Sequence, residues 1–393
     1  MNFHFQNLFL TFIAGLILFS GIKTSENDKS KNRVYKQSET DYKIIGYVAG
    51  WRSDWTTDKF DATKLTHINY AFADVLDDGQ VVSIHEQDAY NFAVLDSLKL
   101  VNPDLKILIS LGGWTRSTWF SDAALTEESR RSFAESAVDF VKEFGVDGVD
   151  IDWEYPGSPG AGNVFRAVDK ENFTLVLKEL RKHLDKQSRI EGREDDPYLL
   201  TIATGASRGF LENTEMHKAH QYLDFINLMT YDYHTGGSPV AGHHTNLYPS
   251  ASIHYTRGSA DQSVQWFIDA GIPSDKLVLG VAFYGRYWSG VRNTDNGLYQ
   301  FAPNGDRGSL SYDNLRDNYI NKNGFTRYWD SEAKAPWLWN SDTQTFVTYD
   351  DEKSLHHKTH YIRARGLGGA MFWEYSQNLG GELLNALYEG LND

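Results

Sequence analysis

The sequence contains no cysteine. This absence excludes disulfide bonds, thiol nucleophiles, a lipidated N-terminal cysteine and zinc sites built on cysteine. Basic residues are also few, since 38 Lys and Arg stand against 53 Asp and Glu and leave a formal net charge of −15. Because a chain with this charge repels polyphosphates, nucleic acid is not expected as a partner.

A long apolar run lies near the N-terminus, at residues 8–19 (LFLTFIAGLILF). It has the length of the apolar part of a signal peptide and is short for a membrane span. We therefore interpret residues 1–22 as a signal peptide and expect secretion, to the extracellular or periplasmic space. No Lys or Arg precedes the run and no clean cleavage site follows, so an uncleaved N-terminal membrane anchor is the alternative. Residues 23–41 are almost wholly polar and predict a linker.

Eight short apolar runs rich in strand-forming residues recur along the rest of the chain. Helical patterns separate several of them, and one places an apolar stripe between Phe133 and Phe144 that stops at Gly145. Alternating strands and helices of this number predict a (β/α)8 TIM barrel, which we assign to residues 42–393. The eight predicted strands are 44–51, 67–73, 106–113, 148–154, 199–206, 225–232, 276–285 and 366–375.

The spacing of these runs breaks once, between the seventh and eighth strands, at residues 286–365. Connections of this length are rarely without secondary structure of their own. We therefore predict a small α+β insertion domain at residues 287–360, between strand seven and helix seven.

Acidic residues alternate along the fourth predicted strand, as Asp150, Asp152 and Glu154. Alternate strand residues share a face, and Glu154 is nearest to the end of the strand that forms the barrel mouth, where such folds have their active sites. Crowded buried acids cannot all ionise, so we expect Asp150 and Asp152 to share one proton and Glu154 to stay protonated as an acid. Asp147 has the opposite parity, and we expect a structural role for it.

Aromatic residues make up 14% of the chain, with 11 Trp and 22 Tyr. Flat rings stack on the apolar faces of sugars, so some of these side chains are expected to line a binding surface. Candidates for outer sugar subsites, with ordinary packing as the alternative, are Trp51, Trp55, Trp288, Trp337 and Trp339.

The run DGVDIDWEYPG at residues 147–157 resembles the DxxDxDxE signature of family 18 glycoside hydrolases, the chitinases and their relatives. Other motifs that resemble the family follow in the expected order: SLGG at 110–113, MTYD at 229–232, FYGR at 283–286 and MFWE at 371–374. The resemblance spans about residues 44–387 and implies a chitinase that acts on chitin or chito-oligosaccharides.

The resemblance also implies a retaining, substrate-assisted mechanism. Glu154 would protonate the glycosidic oxygen while the 2-acetamido carbonyl of the sugar attacks the anomeric carbon and forms an oxazolinium ion. Asp152 would hold the acetamido N–H, Asp150 would be its alternative proton partner, and Tyr231 would donate to the acetamido carbonyl. Strand geometry by itself leaves open a scheme in which Asp152 is a nucleophile paired with Glu154.

Further substrate contacts are expected around these residues. Trp373 would form the floor under the distorted sugar, Asp232 would bind that sugar, and Met229 would pack beneath it. Trp114 is expected to stack on a product-side sugar, with an aromatic cap on the barrel rim as the alternative. The remaining predicted pocket residues are Tyr284, Arg286, Tyr47 and Phe72, and the alternative for Arg286 is a structural arginine paired with an acid.

We expect a monomer with no metal and no other cofactor. The insertion domain would wall one side of the barrel mouth, favouring longer substrates and action from a chain end. Two other functions stay open: a lectin on the same scaffold that binds chitin without cutting it, and an enzyme of the same family that acts on N-glycans or peptidoglycan.

Two further patterns are interpreted as chance matches. Residues 205–209 (GASRG) match the G-x-S-x-G nucleophile elbow, but nothing arranges a base and an acid in the order that this fold uses. The run HHKTH places His356 and His360 four residues apart, with His357 beside them, a spacing that could bind a metal. No carboxylate in a helical ligand position accompanies these imidazoles.

Overall fold

The computed structural model describes residues 42–250, 257–303 and 305–393. The predicted signal peptide or anchor at 1–22 and the predicted linker at 23–41 lie outside these ranges. Within them, no helix combines the length and apolar character needed to cross a membrane.

The strands form a closed parallel barrel and a separate antiparallel sheet. The barrel follows the order β1-β14-β8-β7-β6-β5-β4-β2 and closes where β1 pairs with β2. This closed arrangement of eight parallel strands confirms the predicted barrel. The strands are β1 (Lys43–Ala49), β2 (His67–Val75), β3 (Val81–Val82), β4 (Lys106–Gly112), β5 (Gly148–Asp152), β6 (Leu199–Gly205), β7 (Phe225–Met229), β8 (Leu277–Ala282), β9 (Tyr284–Trp288), β10 (Arg307–Ser311), β11 (Thr326–Asp330), β12 (Ala335–Asn340), β13 (Thr345–Thr348) and β14 (Gly369–Trp373).

Helices surround the barrel, except that the connection from β1 to β2 contains only short 3-10 turns. The longer of the two helices between β4 and β5 has clear end signals. It begins with a capping box of Thr126 and Ser129, and it ends at Gly145, which has the left-handed conformation that favours glycine. The helices are α1 (Asp88–Ser97), α2 (Phe120–Ala123), α3 (Glu127–Phe144), α4 (Asp169–Ile190), α5 (Arg208–Glu212), α6 (Met216–Ala219), α7 (Ala260–Asp269), α8 (Tyr312–Asn318), α9 (Glu352–Arg365) and α10 (Glu382–Asn392).

The barrel strands are buried on both faces, as expected for a parallel sheet covered by helices. Their outward side chains join the helices in one large apolar core. Their inward side chains form a smaller cluster that includes Ile45, Tyr47, Val278 and Met371. Polar side chains share the barrel interior with this cluster, since Asn69, Ser110, Thr201 and Asn227 are also fully buried. The interior can therefore hold a charge by hydrogen bonding.

The antiparallel sheet lies in the long connection between β8 and α9 and has the order β10-β9-β13-β12-β11. It packs its own cluster of aromatic side chains, including Trp288, Trp337, Trp339 and Phe346. The sheet and α8 occupy the region predicted as an insertion. Its first strand begins at Tyr284, and α9 packs against α10 and β14. The predicted domain bounds of 287–360 stay a prediction.

Candidate active site

The acids of the fourth barrel strand lie at the barrel mouth. Asp152 is the last residue of β5, and Glu154 follows two residues later. Both line a cleft of about 1140 Å³. This volume exceeds the roughly 300–1,000 Å³ typical of small-molecule pockets, so the cleft has room for an extended ligand. Asp150 lies deeper, in the barrel interior, where it is completely buried.

The backbone of Asp152 and Glu154 is fixed by the loop after β4. The Glu154 N–H donates to Ser117 Oγ at 2.8 Å, and the Ser117 hydroxyl lies 3.2 Å from the Asp152 carbonyl oxygen. The N–H of Gly113 donates to the same carbonyl at 2.8 Å. Gly112 and Gly113 have φ values of 104° and 83°, and a Cβ on Gly112 would meet the Asp152 carbonyl. Ser117 is a positioning residue that sequence reasoning missed, because a single serine in a loop carries no motif.

Asp150 is surrounded by uncharged hydrogen-bond donors. Its Oδ2 accepts from Tyr47 at 2.7 Å and from Ser110 at 2.8 Å. Its Oδ1 accepts from Thr201 at 2.6 Å and from Asn227 at 3.4 Å. Burial raises the pKa of Asp150, and the first three of these bonds oppose that rise most strongly. The proton shared between Asp150 and Asp152 stays a prediction.

Asp152 and Glu154 have no such set of partners. Oδ1 of Asp152 is buried and has no hydrogen-bond partner within the described ranges, an arrangement that is costly unless a ligand supplies a donor. Burial, then the negative charges of Glu154 and Asp150, raise the pKa of Asp152 well above its usual range. Burial also raises the pKa of Glu154 to about 7, against the opposing effect of a hydrogen bond from Tyr155. Glu154 is therefore able to hold a proton near neutral pH and give it away.

Tyr231 and Asp232 follow β7 and face the same cleft. Burial, followed by the charges of Asp152 and Asp232, raises the pKa of Tyr231, so its hydroxyl stays available as a donor. Asp232 is paired with Arg286 by two parallel contacts, Nε to Oδ1 at 2.8 Å and Nη2 to Oδ2 at 2.5 Å. Burial raises the pKa of Asp232, but His244 and Arg286 outweigh it and hold the pKa below its usual range. Asp232 is therefore an anion at the mouth.

Trp373, at the end of β14, lies at the centre of an aromatic group. Its ring stacks on Phe72 with centroids 5.7 Å apart and lies 5.6 Å from Tyr47. Trp51 lies 6.2 Å away and is 50% exposed, so one face of this group is open to a ligand. Met229 also lines the cleft. The aromatic group gives the cleft an apolar surface beside its acids.

The sequence profile of Glycosyl hydrolases family 18 matches residues 43–378. The chain belongs to glycosyl hydrolase family 18. The closed barrel with acids at its mouth is thus that of a glycoside hydrolase, as the sequence motifs predicted.

Several members of the family are similar over most of this chain. Chitinase A1 of Niallia circulans is 40% identical over 407 residues, which cover 88% of this chain and 58% of that protein. The chain therefore spans just over half of the length of that relative. Chitotriosidase-1 of Mus musculus is 34% identical, over 84% of this chain and 72% of that protein.

Solved structures of the family are similar to the whole described barrel. The family 18 N-acetylglucosaminidase from Paenibacillus barengoltzii is 46% identical, with a TM-score of 0.82 over 89% of this chain and 99% of that one. Chitinase ChiA74 from Bacillus thuringiensis is 36% identical, with a TM-score of 0.83 over 89% of this chain and 69% of that one.

The remaining predicted contacts of this family 18 barrel differ in exposure. Trp114 is 53% exposed at the cleft, with its ring 6.5 Å from Tyr155. Tyr284 is buried and packs at 6.2 Å against Tyr231. Arg286 lines the cleft and is paired with Asp232, and its contact with a substrate stays a prediction.

Four of the five tryptophans considered for outer subsites are buried in cores. Trp55 packs on Phe60 at 4.9 Å and donates to the Ala49 carbonyl at 2.8 Å. Only Trp51 of the five lines the cleft. For the other four the packing alternative is correct, because the barrel and the antiparallel sheet each use large rings to fill their cores: Trp55, Trp288, Trp337 and Trp339.

The other sequence patterns have structural explanations. In GASRG, Ser207 is the N-cap of α5, because its side chain accepts from the Phe210 N–H. The histidines of HHKTH lie on α9, and no group of three or more potential ligands is arranged to hold a metal within the described ranges. Asp147 immediately precedes β5, at the end of the strand opposite the mouth, which we call the lower end. Its carboxylate accepts from the Ile107 N–H at 2.9 Å.

Proposed function

We propose that this glycoside hydrolase cuts the β-1,4 linkages of chitin or chito-oligosaccharides, with Glu154 as general acid and base. The observation that carries the proposal is the pairing, in one cleft, of Glu154 with Asp152. Glu154 has a pKa raised to about 7 by burial, and Asp152 has a buried oxygen without a partner in the described part of the chain. The names of the similar proteins, chitinases and an N-acetylglucosaminidase, support this substrate class.

In the proposed reaction, Glu154 gives its proton to the glycosidic oxygen as the bond from that oxygen to the anomeric carbon breaks. The carbonyl oxygen of the sugar's own 2-acetamido group forms a bond to the anomeric carbon from the opposite face. The product of this step is a cyclic oxazolinium ion and a free chain end. Glu154, now a carboxylate, then takes a proton from water as the water opens the ring, so the configuration is retained.

Asp152 and Tyr231 orient the acetamido group in this scheme. Oδ1 of Asp152, which has no partner among the residues that the structure describes, accepts the acetamido N–H, and the negative charge offsets the positive charge of the oxazolinium ion. The Tyr231 hydroxyl, whose pKa is raised by burial and nearby carboxylates, donates to the acetamido carbonyl. Its nearest hydrogen-bond partner is the Met371 sulfur at 3.7 Å, a weak acceptor that a carbonyl oxygen would replace.

Substrate assistance fits the electrostatics better than attack by Asp152. A carboxylate nucleophile must be ionised beside the protonated acid. Burial and the charges of Glu154 and Asp150 raise the pKa of Asp152 well above its usual range, which weakens it as a nucleophile. In substrate assistance Asp152 forms no covalent bond to the sugar, so the acetamido N–H and the oxazolinium charge can be met by the single negative charge that remains when Asp150 and Asp152 share one proton.

The antiparallel sheet supports a cleft for oligomers. Tyr284 and Arg286 of β9 and Ser309 of β10 line the cleft together with the aromatic group around Trp373. We propose that the antiparallel sheet walls one side of the mouth and favours longer substrates and action from a chain end. Comparing rates on oligomers with free and with blocked ends tests this point: equal rates on both would contradict it.

Glu154→Gln is the deciding variant, because glutamine keeps the shape of the side chain and removes its proton. The wild type is expected to release sugars from a chito-oligosaccharide with retention, which NMR of the first anomer detects. Glu154→Gln should lose about 10²–10⁴-fold in kcat and keep its affinity. The matched control is Glu143→Gln, an exposed residue on α3, which should leave kcat unchanged.

Other outcomes favour the rival functions. A wild type that binds chito-oligosaccharides without releasing sugar is a lectin. One that cuts N-glycans or peptidoglycan fragments faster than chito-oligosaccharides has a different substrate. Inhibition by a thiazoline that mimics the cyclic ion supports substrate assistance, and trapping of a glycosyl ester on Asp152 contradicts it.

A further inference from the structure

His244 lies in the loop between β7 and α7, and its side chain is completely buried. Nδ1 of the ring is 3.4 Å from Oδ1 of Asp232, and the ring packs at 5.1 Å against Tyr284. We propose that His244 is a positioning residue that holds the Asp232 carboxylate toward the bound sugar. The inference rests on the proposed function, because it assigns Asp232 to a sugar in the cleft.

The position of the Asp232 carboxylate depends on its backbone conformation and on more than one side-chain contact. It has a φ of 60°, a conformation that residues other than glycine seldom adopt, so its backbone is held by its surroundings. Arg286 contacts both oxygens and uses two of the roughly four acceptor positions of a carboxylate. His244 Nδ1, which lies 3.4 Å from Oδ1, would restrain the carboxylate from a second direction and leave the remaining acceptor position for a sugar hydroxyl or amide.

The loop that carries His244 is itself fixed. The His244 N–H donates to Thr348 Oγ1 of β13 at 3.2 Å, and its carbonyl accepts from the Tyr233 N–H at 3.1 Å. The next residue, Thr245, contacts a buried ion pair: Lys358 Nζ lies 2.7 Å from its hydroxyl and Asp350 Oδ2 lies 3.0 Å from it. The backbone that carries the ring is therefore held in place by β13 and α9.

The protonation state of the ring suits this role. Burial lowers the pKa of His244, Asp232 raises it and Arg286 lowers it, with a net lowering, so the ring is neutral at neutral pH. Neither ring nitrogen forms a hydrogen bond within the described ranges, and Nδ1 is the one that faces a carboxylate, so the single proton is best used there. The 3.4 Å separation is long for a hydrogen bond, as is common before a ligand binds. The charged or titratable groups that face the ring are Asp232, Arg286, Tyr284 and Asp350.

A neutral donor also preserves the charge of Asp232. That charge is one of the factors that raise the pKa of Glu154. A second cation beside Asp232 would weaken this effect, whereas a neutral N–H orients the carboxylate and leaves its charge in place. We therefore expect loss of the His244 contact to affect sugar affinity first and the upper limb of the pH profile second.

The test compares His244→Leu with His244→Asn. Leucine removes the donor, while the Asn side-chain N–H₂ stands near the position of the imidazole Nδ1. His244→Leu is expected to raise KM for a chito-oligosaccharide about 10-fold, with a smaller change in kcat, because a hydrogen bond to a charged group is lost. It should also move the upper limb of the pH profile, and His244→Asn should restore KM to within about 3-fold of wild type.

His243→Leu is the matched control, because His243 is equally buried but contacts Asp330 at 3.3 Å. It should lower the melting temperature and leave KM unchanged.

Binding to a Glu154→Gln background separates this inference from the proposed function. With an oligosaccharide as the calorimetric ligand, His244→Leu in that background should weaken binding about 10-fold. If wild type binds but releases no sugar, the proposed function fails and this affinity change still decides the role of His244. If a folded His244→Leu keeps wild-type KM, pH profile and affinity, or if Asn and Leu behave alike, His244 has no positioning role.

Discussion

The acidic residues at the two ends of β5 have different kinds of partners. At the lower end, Asp147 lies 2.7 Å from Lys99 Nζ and 3.3 Å from Arg193 Nη2. The buried carboxylate of Asp350, beside α9, also has a cation as its partner, since it lies 2.6 Å from Lys358 Nζ. Each of these acids is therefore held in an ion pair with at least one cation.

From the barrel interior to the mouth, no Lys, Arg or His within the described ranges comes within ion-pair distance of the three acids Asp150, Asp152 and Glu154. Asp150 is stabilised by uncharged donors, and Glu154 has a pKa raised to about 7 by burial. The comparison teaches that burial without a cation raises the pKa of an acid and so lets it carry a proton.

The largest expected effect is on stability, at the paired acids. Lys358→Met leaves Asp350 buried without its cation and should lower the free energy of unfolding by about 3–5 kcal/mol. Adding Asp350→Asn removes the uncompensated charge and should recover at least half of that loss. Denaturant unfolding of both variants measures this, and a double variant no more stable than the single one would show that the pair is not the cause.

Asp152→Asn should have the next largest effect, on activity alone. The amide cannot carry the negative charge that offsets the oxazolinium ion, so kcat should fall about 10²–10³-fold. Stability should stay equal or rise, because the charges of Glu154 and Asp150 oppose ionisation of Asp152. Steady-state kinetics and thermal unfolding on one preparation test both parts. A variant that loses stability and activity together would place Asp152 with the structural acids.

The raised pKa of Glu154 predicts a pH dependence with a definite sign. Between its ordinary 4.5 and about 7, the folded protein binds a proton that the unfolded chain has released, so this residue makes stability fall as pH rises through that window. Glu154→Gln should flatten this part of the curve relative to wild type. In wild type, kcat/KM should also fall above about pH 7 as the acid deprotonates.

Unfolding curves at several pH values, with the exposed variant Glu143→Gln measured alongside as a control, provide the measurement. Equal slopes for wild type and Glu154→Gln would mean that Glu154 titrates in the folded protein as it does in the unfolded chain.

The smallest expected effect concerns the uncharged donors. Tyr47→Phe removes one of the two bonds to Asp150 Oδ2 and leaves the one from Ser110, so it should destabilise the fold by about 1 kcal/mol. It should also raise the pKa of Asp150 further, because this bond lowers it. Chemical denaturation and the pH profile of kcat check the prediction, and a loss as large as that from Lys358→Met would mean that a neutral donor and a cation are equivalent here.

Much of the fold and of the candidate site could be predicted from the sequence. The alternation of strands and helices specified the barrel, and the period of two along β5 brought Asp150, Asp152 and Glu154 to one face. The motifs shared with family 18 located Tyr231 and Trp373. Composition did not distinguish sugar-binding tryptophans from core tryptophans, because a ring that binds a sugar and a ring that fills a core have the same chemistry. Exposure separated Trp51 from the four buried rings.

The sequence by itself determined the fold and the residue types at the mouth, because hydrophobic periodicity and strand parity are local properties. The tertiary structure alone decided which acids acquire a cation, an uncharged donor or no partner. It brought Ser117 to the backbone of Glu154 and His244 to Asp232, although neither residue belongs to a motif. The physical reason is that desolvation and electrostatic interactions depend on distances between segments far apart in the chain, and only the closed barrel sets those distances.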